Sequence, residues 1–402
     1  MKYDFDEIID RKNSNSMKWD VKDGELPMWV ADMDFQTAPE IRKAITERAE
    51  HGVFGYSVIP DEWYQAYQDW WSKRHHFQIR KEWLMFVTGV VPAISSAVRK
   101  LTTPGEKILV QTPVYNIFFN SIVNNGRTVL ESPLRYKDGA YEIDFERLEK
   151  DLADPQTTMM ILCNPHNPVG KIWSRETLAR IGGLCRKHHV IVLSDEIHCD
   201  LTAPGKEYVP FASASEDCRE ISITCIAPTK AFNLAGLQTA AVFVPNEGLR
   251  NKMYRAVNTD EVAEPNAFAV QAAVAAFTKG APWLDALREY LEENKQYAKA
   301  FLEEQIGEIK PVASEATYLM WLDCRELSGD ATEFARYLRD TTGLYVSEGR
   351  QYGKSGANFL RLNVACPKEV LTDGLQRLKK GGAAYKKAVA VVPAVASISG
   401  CR

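Results

Sequence analysis

The 402-residue chain is 45% hydrophobic and 25% charged, and its 49 Lys and Arg against 53 Asp and Glu leave a net charge of −4. That much apolar material can bury one large core and a smaller second one, while the near-balance of charge offers no basic face for nucleic acid. The opening residues, Met1 to Asn13, are charged and polar where a secretion signal is apolar, so a cytoplasmic protein without a membrane anchor is expected. Eight cysteines (Cys163, Cys185, Cys199, Cys218, Cys225, Cys324, Cys366 and Cys401) show no CxxC pair, and the His75-His76 and His188-His189 pairs are adjacent rather than helically spaced. Free thiols and no metal site are therefore expected.

An N-terminal arm over 1–36 is predicted to pack with the smaller domain. Thr37 is placed to cap the first predicted helix, with Pro39 near its start and an end near His51-Gly52. A second helix is predicted from Asp61 to Lys73, where Trp63, Tyr67, Trp70 and Trp71 form an aromatic stripe that reads as core or as dimer interface. Thr88-Gly89-Val90-Val91-Pro92 then turns a strand (WLMFV) into a helix (AISSAVRKL), with glycine allowing close approach and proline suited to the first helical position. The amides of Gly89, Val90 and Val91 would point at a phosphate, although most such turns are only tight connections.

Short apolar strands follow (KILVQ, TVL, TMMILC, VIVLSD, ISITCI, AAVFV), several with a helix such as SRETLARIGGLCRKH between them, the pattern of a mainly parallel α/β sheet over 37–282. A long helix from Pro282 to about Glu304, then ATYLMWLD, a helix near Ala331 to Thr341 and NFLRLNV, predict a small α+β domain over 283–380. Residues 381–402 read as an atypical, dispensable tail. Its uncharged run from Ala388 to Gly400 is too short to cross a bilayer and is interrupted by Pro393.

Two residues constrain the chemistry most. Lys230 lies in APTKAFNLAG, and Asp195 ends the apolar strand VIVLSDEIH. A lysine in a small-residue loop can form a Schiff base, and a carboxylate aimed at a pyridine nitrogen keeps that ring protonated as an electron sink, so the pair reads as a pyridoxal-phosphate site. Each alone has a plainer reading, as a surface lysine and as a loop or cap acid. Asn164-Pro165-His166-Asn167-Pro168-Val169-Gly170 follows the strand TTMMILC, so Asn167 could hydrogen-bond a ring oxygen. Tyr115 in TPVYNIFF could stack on a planar cofactor or belong to the core. Arg361 in FLRLNVACP reads either as a bidentate grip on a substrate carboxylate or as a surface arginine on an edge strand.

The ordered motifs GVVPA, TPVY, NPHNPVG, SDEIH, TKAFNLAG and RLNVA resemble the class I/II aminotransferase superfamily of fold-type-I pyridoxal-phosphate enzymes, over roughly residues 1 to 380. Within it, LPMWVADMDF (Leu26 to Phe35) and SDEIHCD (Ser194 to Asp200) are similar to the MalY/PatB branch of cystathionine β-lyases. The resemblance implies that Lys230 carries the cofactor covalently and that Asp195 meets the pyridine nitrogen, Asn167 the phenolic oxygen and Tyr115 the ring face. It further implies that Thr229 helps hold the phosphate, that Arg361 binds the α-carboxylate, and that the backbone of Val30 and Ala31 closes over the substrate. It also implies a homodimer in which Tyr56 reaches the neighbouring subunit's phosphate. His198, where the wider superfamily has tyrosine, matches the lyase branch.

Ala227 and Gln238 stand where the superfamily's phosphate clamp has a serine and an arginine. Losing a charge-assisted contact weakens phosphate binding by about 1.5–3 kcal/mol, so partial loss of cofactor during exhaustive dialysis is expected, measured by absorbance of the retained protein. The implied activity is β-elimination from a cysteine thioether to thiol, pyruvate and ammonia, since a thiolate leaves well. Two alternatives stay open: an aminotransferase of broad range, and a regulatory protein that binds a partner and keeps residual lyase activity.

Overall fold

The structure is a computed structural model in which residues 3–391 are described. It divides into two compact units: Gln36–Glu289 with Ser314–Thr317, and the chain up to Phe35, Tyr290–Ala313 and the chain from Tyr318 onward. The passage from the first unit to the second falls inside one 25-residue helix, Ala281–Gln305.

The larger unit is built on a seven-stranded sheet: β1 (Leu84–Val87), β2 (Lys107–Val110), β3 (Thr128–Glu131), β4 (Thr157–Cys163), β5 (Ile191–Asp195), β6 (Ser222–Ile226) and β7 (Ala240–Phe243), in the spatial order β1-β7-β6-β5-β4-β2-β3. Strands β3, β2, β4, β5 and β6 pair in parallel. Only β7 runs against its neighbours β6 and β1, so β1 points the same way as the parallel set. Both faces are covered, which explains why β4 reads TTMMILC with scarcely a polar position rather than as an alternating strand. The core includes Val87, Ile94, Ile108, Val110, Met159, Ile161, Leu193, Ile223 and Val242.

The first helix runs Pro39–Glu50 and ends at His51 as expected, but Ala38 holds its N-cap position without a side-chain bond, and the buried Thr37 hydroxyl has no partner. Pro39 offsets the missing cap, since its fixed φ suits the first turn and it has no N–H to satisfy. The next helix, Asp61–His75, buries its aromatic stripe: Tyr67, Trp70 and Trp71 contact Phe277 of the helix Ala269–Lys279 at 4.7, 5.2 and 5.6 Å between ring centroids. Of the two readings of that stripe, core is the one realised.

The smaller unit holds a four-stranded antiparallel sheet of β8 (Lys310–Pro311), β9 (Leu319–Asp323), β10 (Ser347–Glu348) and β11 (Phe359–Asn363), ordered β8-β9-β11-β10. Helices Ala331–Thr342 and Lys368–Val391 belong to it, with a core of Met28, Leu302, Phe334, Leu338, Leu360 and Leu375 among others. The second of these helices continues through Gly381 and Gly382, where the sequence suggested that a tail begins; the rest of that expected tail, 392–402, lies outside the described residues. Among the described residues no helix is long and apolar enough to cross a membrane.

Candidate active site

Because β1, β2, β4, β5 and β6 all point one way, the segments leaving their carboxyl ends share one edge of the sheet, where open α/β sheets bind ligands. Cys163 stands opposite Asp195, and Asp195 opposite Cys225. Gly89, Tyr115, Asn167, Asp195 and Lys230 all follow or end these strands, so the topology brings them to the same edge.

Asp195 is 4% exposed, and its carboxylate accepts the Ile197 N–H at 3.1 Å. Burial pushes its pKa up to about 7, opposed by that N–H and by the charge of Lys230. Lys230 sits in a turn closed by Phe232 N–H donating to Pro228 O (2.9 Å) and Leu234 N–H to Thr229 O (2.8 Å). Ala227, Thr229, Ala231 and Phe232 are buried while Lys230 itself is half-buried, so the turn holds its base rigidly and leaves the amine within reach of a ligand.

Asn167 is buried in a loop stapled by His166 N–H to Lys171 O (2.8 Å) and Gly170 N–H to His166 O (2.6 Å). Gly170 has φ +74°, and a Cβ there would lie 2.0 Å from Ser314 Oγ, so only glycine fits. Burial holds the His166 imidazole down at about 4, hence neutral, and its Nε2 lies 2.8 Å from Pro113 O, joining this loop to the turn that carries Tyr115. Tyr115 is half-buried, edge-on to Phe118 at 5.5 Å, and so keeps part of its ring outside the core.

Gly89 precedes the helix Val90–Leu101, leaving the amides of Gly89, Val90 and Val91 ahead of the first helical hydrogen bond. Pro92 is the third helical residue rather than the first, still within the turn whose N–H groups have no helical partner. His198 is 3% exposed in the loop after β5. Tyr56, by contrast, is fully exposed, and lines a surface groove with Phe54, Gln238 and Phe268.

In the smaller unit Arg361 occupies β11, between β9 and β10, and is 5% exposed. That excludes the edge-strand reading. Its guanidinium donates to Trp29 O at 2.8 Å and lies over the Tyr352 ring at 4.9 Å. Val30 is half-buried and Ala31 is 9% exposed, in the irregular segment that follows Leu26–Pro27.

A sequence model of the aminotransferase class I and II family matches residues 26–378. The chain belongs to that family. It is 44% identical over 382 residues to cystathionine beta-lyase PatB of Bacillus subtilis, covering 93% of this chain and 98% of that one. Protein MalY of Escherichia coli is 33% identical over 384 residues, with 94% and 98% covered. The crystal structure of cystalysin from Treponema denticola, which contains a pyridoxal 5'-phosphate cofactor, superposes with a TM-score of 0.92 at 34% identity, covering 95% of this chain and 99% of that one.

As a member of this family the chain can be tested for fit to that cofactor. Burial of Asp195 raises its pKa despite the charge of Lys230, and a protonated pyridine nitrogen would add a second compensating cation. The free amides at Gly89, Val90 and Val91 suit a phosphate, and the half-buried Lys230 suits a covalent link, so the residues fit the group.

Two further features were not legible as motifs. Glu196, which reads as the second half of an Asp-Glu pair, is wholly buried and accepts from Ser194 Oγ (2.8 Å), Phe211 N–H (2.9 Å), Asn164 Nδ2 (3.3 Å) and the Tyr208 hydroxyl. It ties the ends of β4 and β5 together, and burial raises its carboxyl to about 7 despite these donors. Burial opposes ionisation of Asp200 too, but His75 and Arg74 hold its carboxyl below the usual range. His75, Cys199 and Asp200 bring nitrogen, sulfur and oxygen donors within 4.8 Å of one another. His75 Nε2 and Trp70 Nε1 each lie 2.9 Å from Asp200 Oδ1, with Arg74 Nε at 3.4 Å, so a guanidinium already supplies the compensating cation there.

Proposed function

We propose that this chain is a pyridoxal-phosphate-dependent carbon–sulfur β-lyase that cleaves L-cystathionine or related cysteine thioethers to a thiol, pyruvate and ammonia. The 44% identity to PatB across nearly the whole chain carries this reading, supported by the convergence of Lys230, Asp195, Asn167, Tyr115 and the Gly89 turn on one sheet edge.

In this reading Arg361 receives the substrate's α-carboxylate as a bidentate partner. Lys230 serves as the base that takes the proton from Cα. Asp195 holds a negative charge against the ring nitrogen, Asn167 donates to the phenolic oxygen beside His198, and Tyr115 covers a ring face. Gly89, Val90, Val91 and Thr229 hold the phosphate. When bound, the cofactor supplies an electron sink for the pair left at Cα. Loss of that proton and of the β-thiolate, followed by addition of water, accounts for the three products.

The apolar run Val53, Phe54, Tyr56 and Val58 is 65, 56, 103 and 81% exposed, a surface that favours burial against a second copy of the chain. In this reading Tyr56 reaches the partner subunit's phosphate, and its full exposure in this chain is compatible with that. Among the described residues, seven buried free thiols fit a reducing, cytoplasmic compartment.

The test is turnover of L-cystathionine by the loaded protein without any 2-oxo acid, following pyruvate and thiol together. Equal release over many turnovers is expected. Amino-group transfer to an added 2-oxo acid, with no thiol released, would make the protein an aminotransferase.

A further inference from the structure

The stretch from Trp29 to Met33 has no regular secondary structure, yet each of its five carbonyls is gripped by a side chain of the smaller unit. Trp29 O accepts from Arg361 (2.8 Å) and Ser347 Oγ (3.0 Å), and Val30 O from Asn363 Nδ2 (2.6 Å). Ala31 O accepts from the Tyr318 hydroxyl (2.9 Å), Asp32 O from Asn363 Nδ2 again (2.7 Å), and Met33 O from Arg11 (3.0 Å). Backbone bonds bracket the stretch, Asn363 N–H to Met28 O at 3.0 Å and Asp34 N–H to Ala365 O at 2.9 Å.

The geometry points to Asn363 and Tyr318 as positioning residues that set the Val30–Ala31 backbone and, through Trp29, the Arg361 guanidinium for substrate binding. This rests on the reading of Arg361 as the carboxylate grip. A trans peptide aims its C=O and N–H in opposite directions. Fixing Trp29 O and Val30 O therefore fixes where the Val30 and Ala31 amides point. Asn363 lies two residues after Arg361 on β11, so both side chains leave the same face of the sheet and meet the same loop. Its amide is fully engaged, with Oδ1 accepting Ala365 N–H at 2.8 Å, and it is 1% exposed where an apolar residue would serve mere packing. Tyr318 is fully buried, and its hydroxyl reaches the one carbonyl, that of Ala31, between the two that Asn363 holds.

The experiment compares Asn363→Ala, the isosteric Asn363→Asp and the mild Tyr318→Phe in the cofactor-loaded protein. It measures kcat and KM for L-cystathionine, thermal melting, and equilibrium binding of α-aminoisobutyrate, which has no α-proton to lose, read in the cofactor's absorbance. Loss of two hydrogen bonds in Asn363→Ala is expected to raise KM and the α-aminoisobutyrate Kd about tenfold, and Tyr318→Phe about threefold, with kcat within about twofold of wild type. Asn363→Asp sets an acceptor against two carbonyls and is expected to be worse than alanine. Cofactor affinity should be unchanged throughout. Wild-type affinity for α-aminoisobutyrate in Tyr318→Phe together with whichever Asn363 variant folds, or a fall in kcat at constant KM, overturns the inference. If the wild-type protein turns over no thioether, the functional reading fails instead, and the α-aminoisobutyrate titration still decides this one.

Discussion

Lys230→Ala is expected to lower kcat/KM for L-cystathionine by about 10³–10⁴-fold or more, because it removes the residue proposed as both the covalent anchor and the base at Cα. The variant should fold normally: the turn around residue 230 is held by backbone bonds from Phe232 and Leu234, and the lysine is only half-buried. The separating measurement is hydride reduction followed by intact mass. Wild type should gain the mass of the cofactor and the variant should not, although it still binds pyridoxal phosphate reversibly. Retention of turnover within about tenfold would remove Lys230 from the chemistry.

Asp195→Asn is the second large effect, and its sign differs between the loaded and the cofactor-free protein. In the cofactor-free protein burial raises the Asp195 carboxyl from its ordinary value near 3.8 to about 7. The folded state then binds the proton more tightly than the unfolded chain. The resulting stability loss begins near pH 4, grows until about pH 7, and is level above that. Asparagine does not titrate. Cofactor-free Asp195→Asn should therefore melt higher than wild type at pH 8, by a free energy of about 4 kcal/mol at most, and the gap should close near pH 4. With cofactor the order is expected to reverse, because on the proposed reading the carboxylate gains a pyridinium partner. The variant should bind the cofactor about 10–100-fold more weakly and turn over about 10²–10³-fold more slowly. Equal melting of both cofactor-free proteins at pH 8 and pH 4 would show that burial of the Asp195 charge does not destabilise the cofactor-free fold.

Much of the large unit was legible because its signals are local. A strand that runs through five consecutive apolar residues, a glycine turn and a lysine among small residues each announce themselves within ten positions. Asp195 and Lys230 were singled out for that reason. What escaped depends on which strands become neighbours. Arg361 read equally well as an edge residue, and only its place between β9 and β11's other neighbour β10 shows it to be interior. Glu196 resembles a surface acid until the ends of β4 and β5 are side by side. Asn363 and Tyr318 carry no motif, since their partners are backbone carbonyls whose positions no side-chain pattern records. Thr37 shows the converse error: a favourable capping residue one position too early, displaced by the fixed geometry of Pro39.

The pairing of Leu26–Pro27 with Leu344–Tyr345 has a consequence for how the protein is made. Leu26–Pro27 leaves the ribosome well before Leu344–Tyr345, the strand that pairs with it. Until then the larger unit can fold around its own sheet while Leu26 and Met28, both buried in the finished fold, lack part of the core that covers them. The strand Leu26–Pro27 is thus translated early and can pair only late.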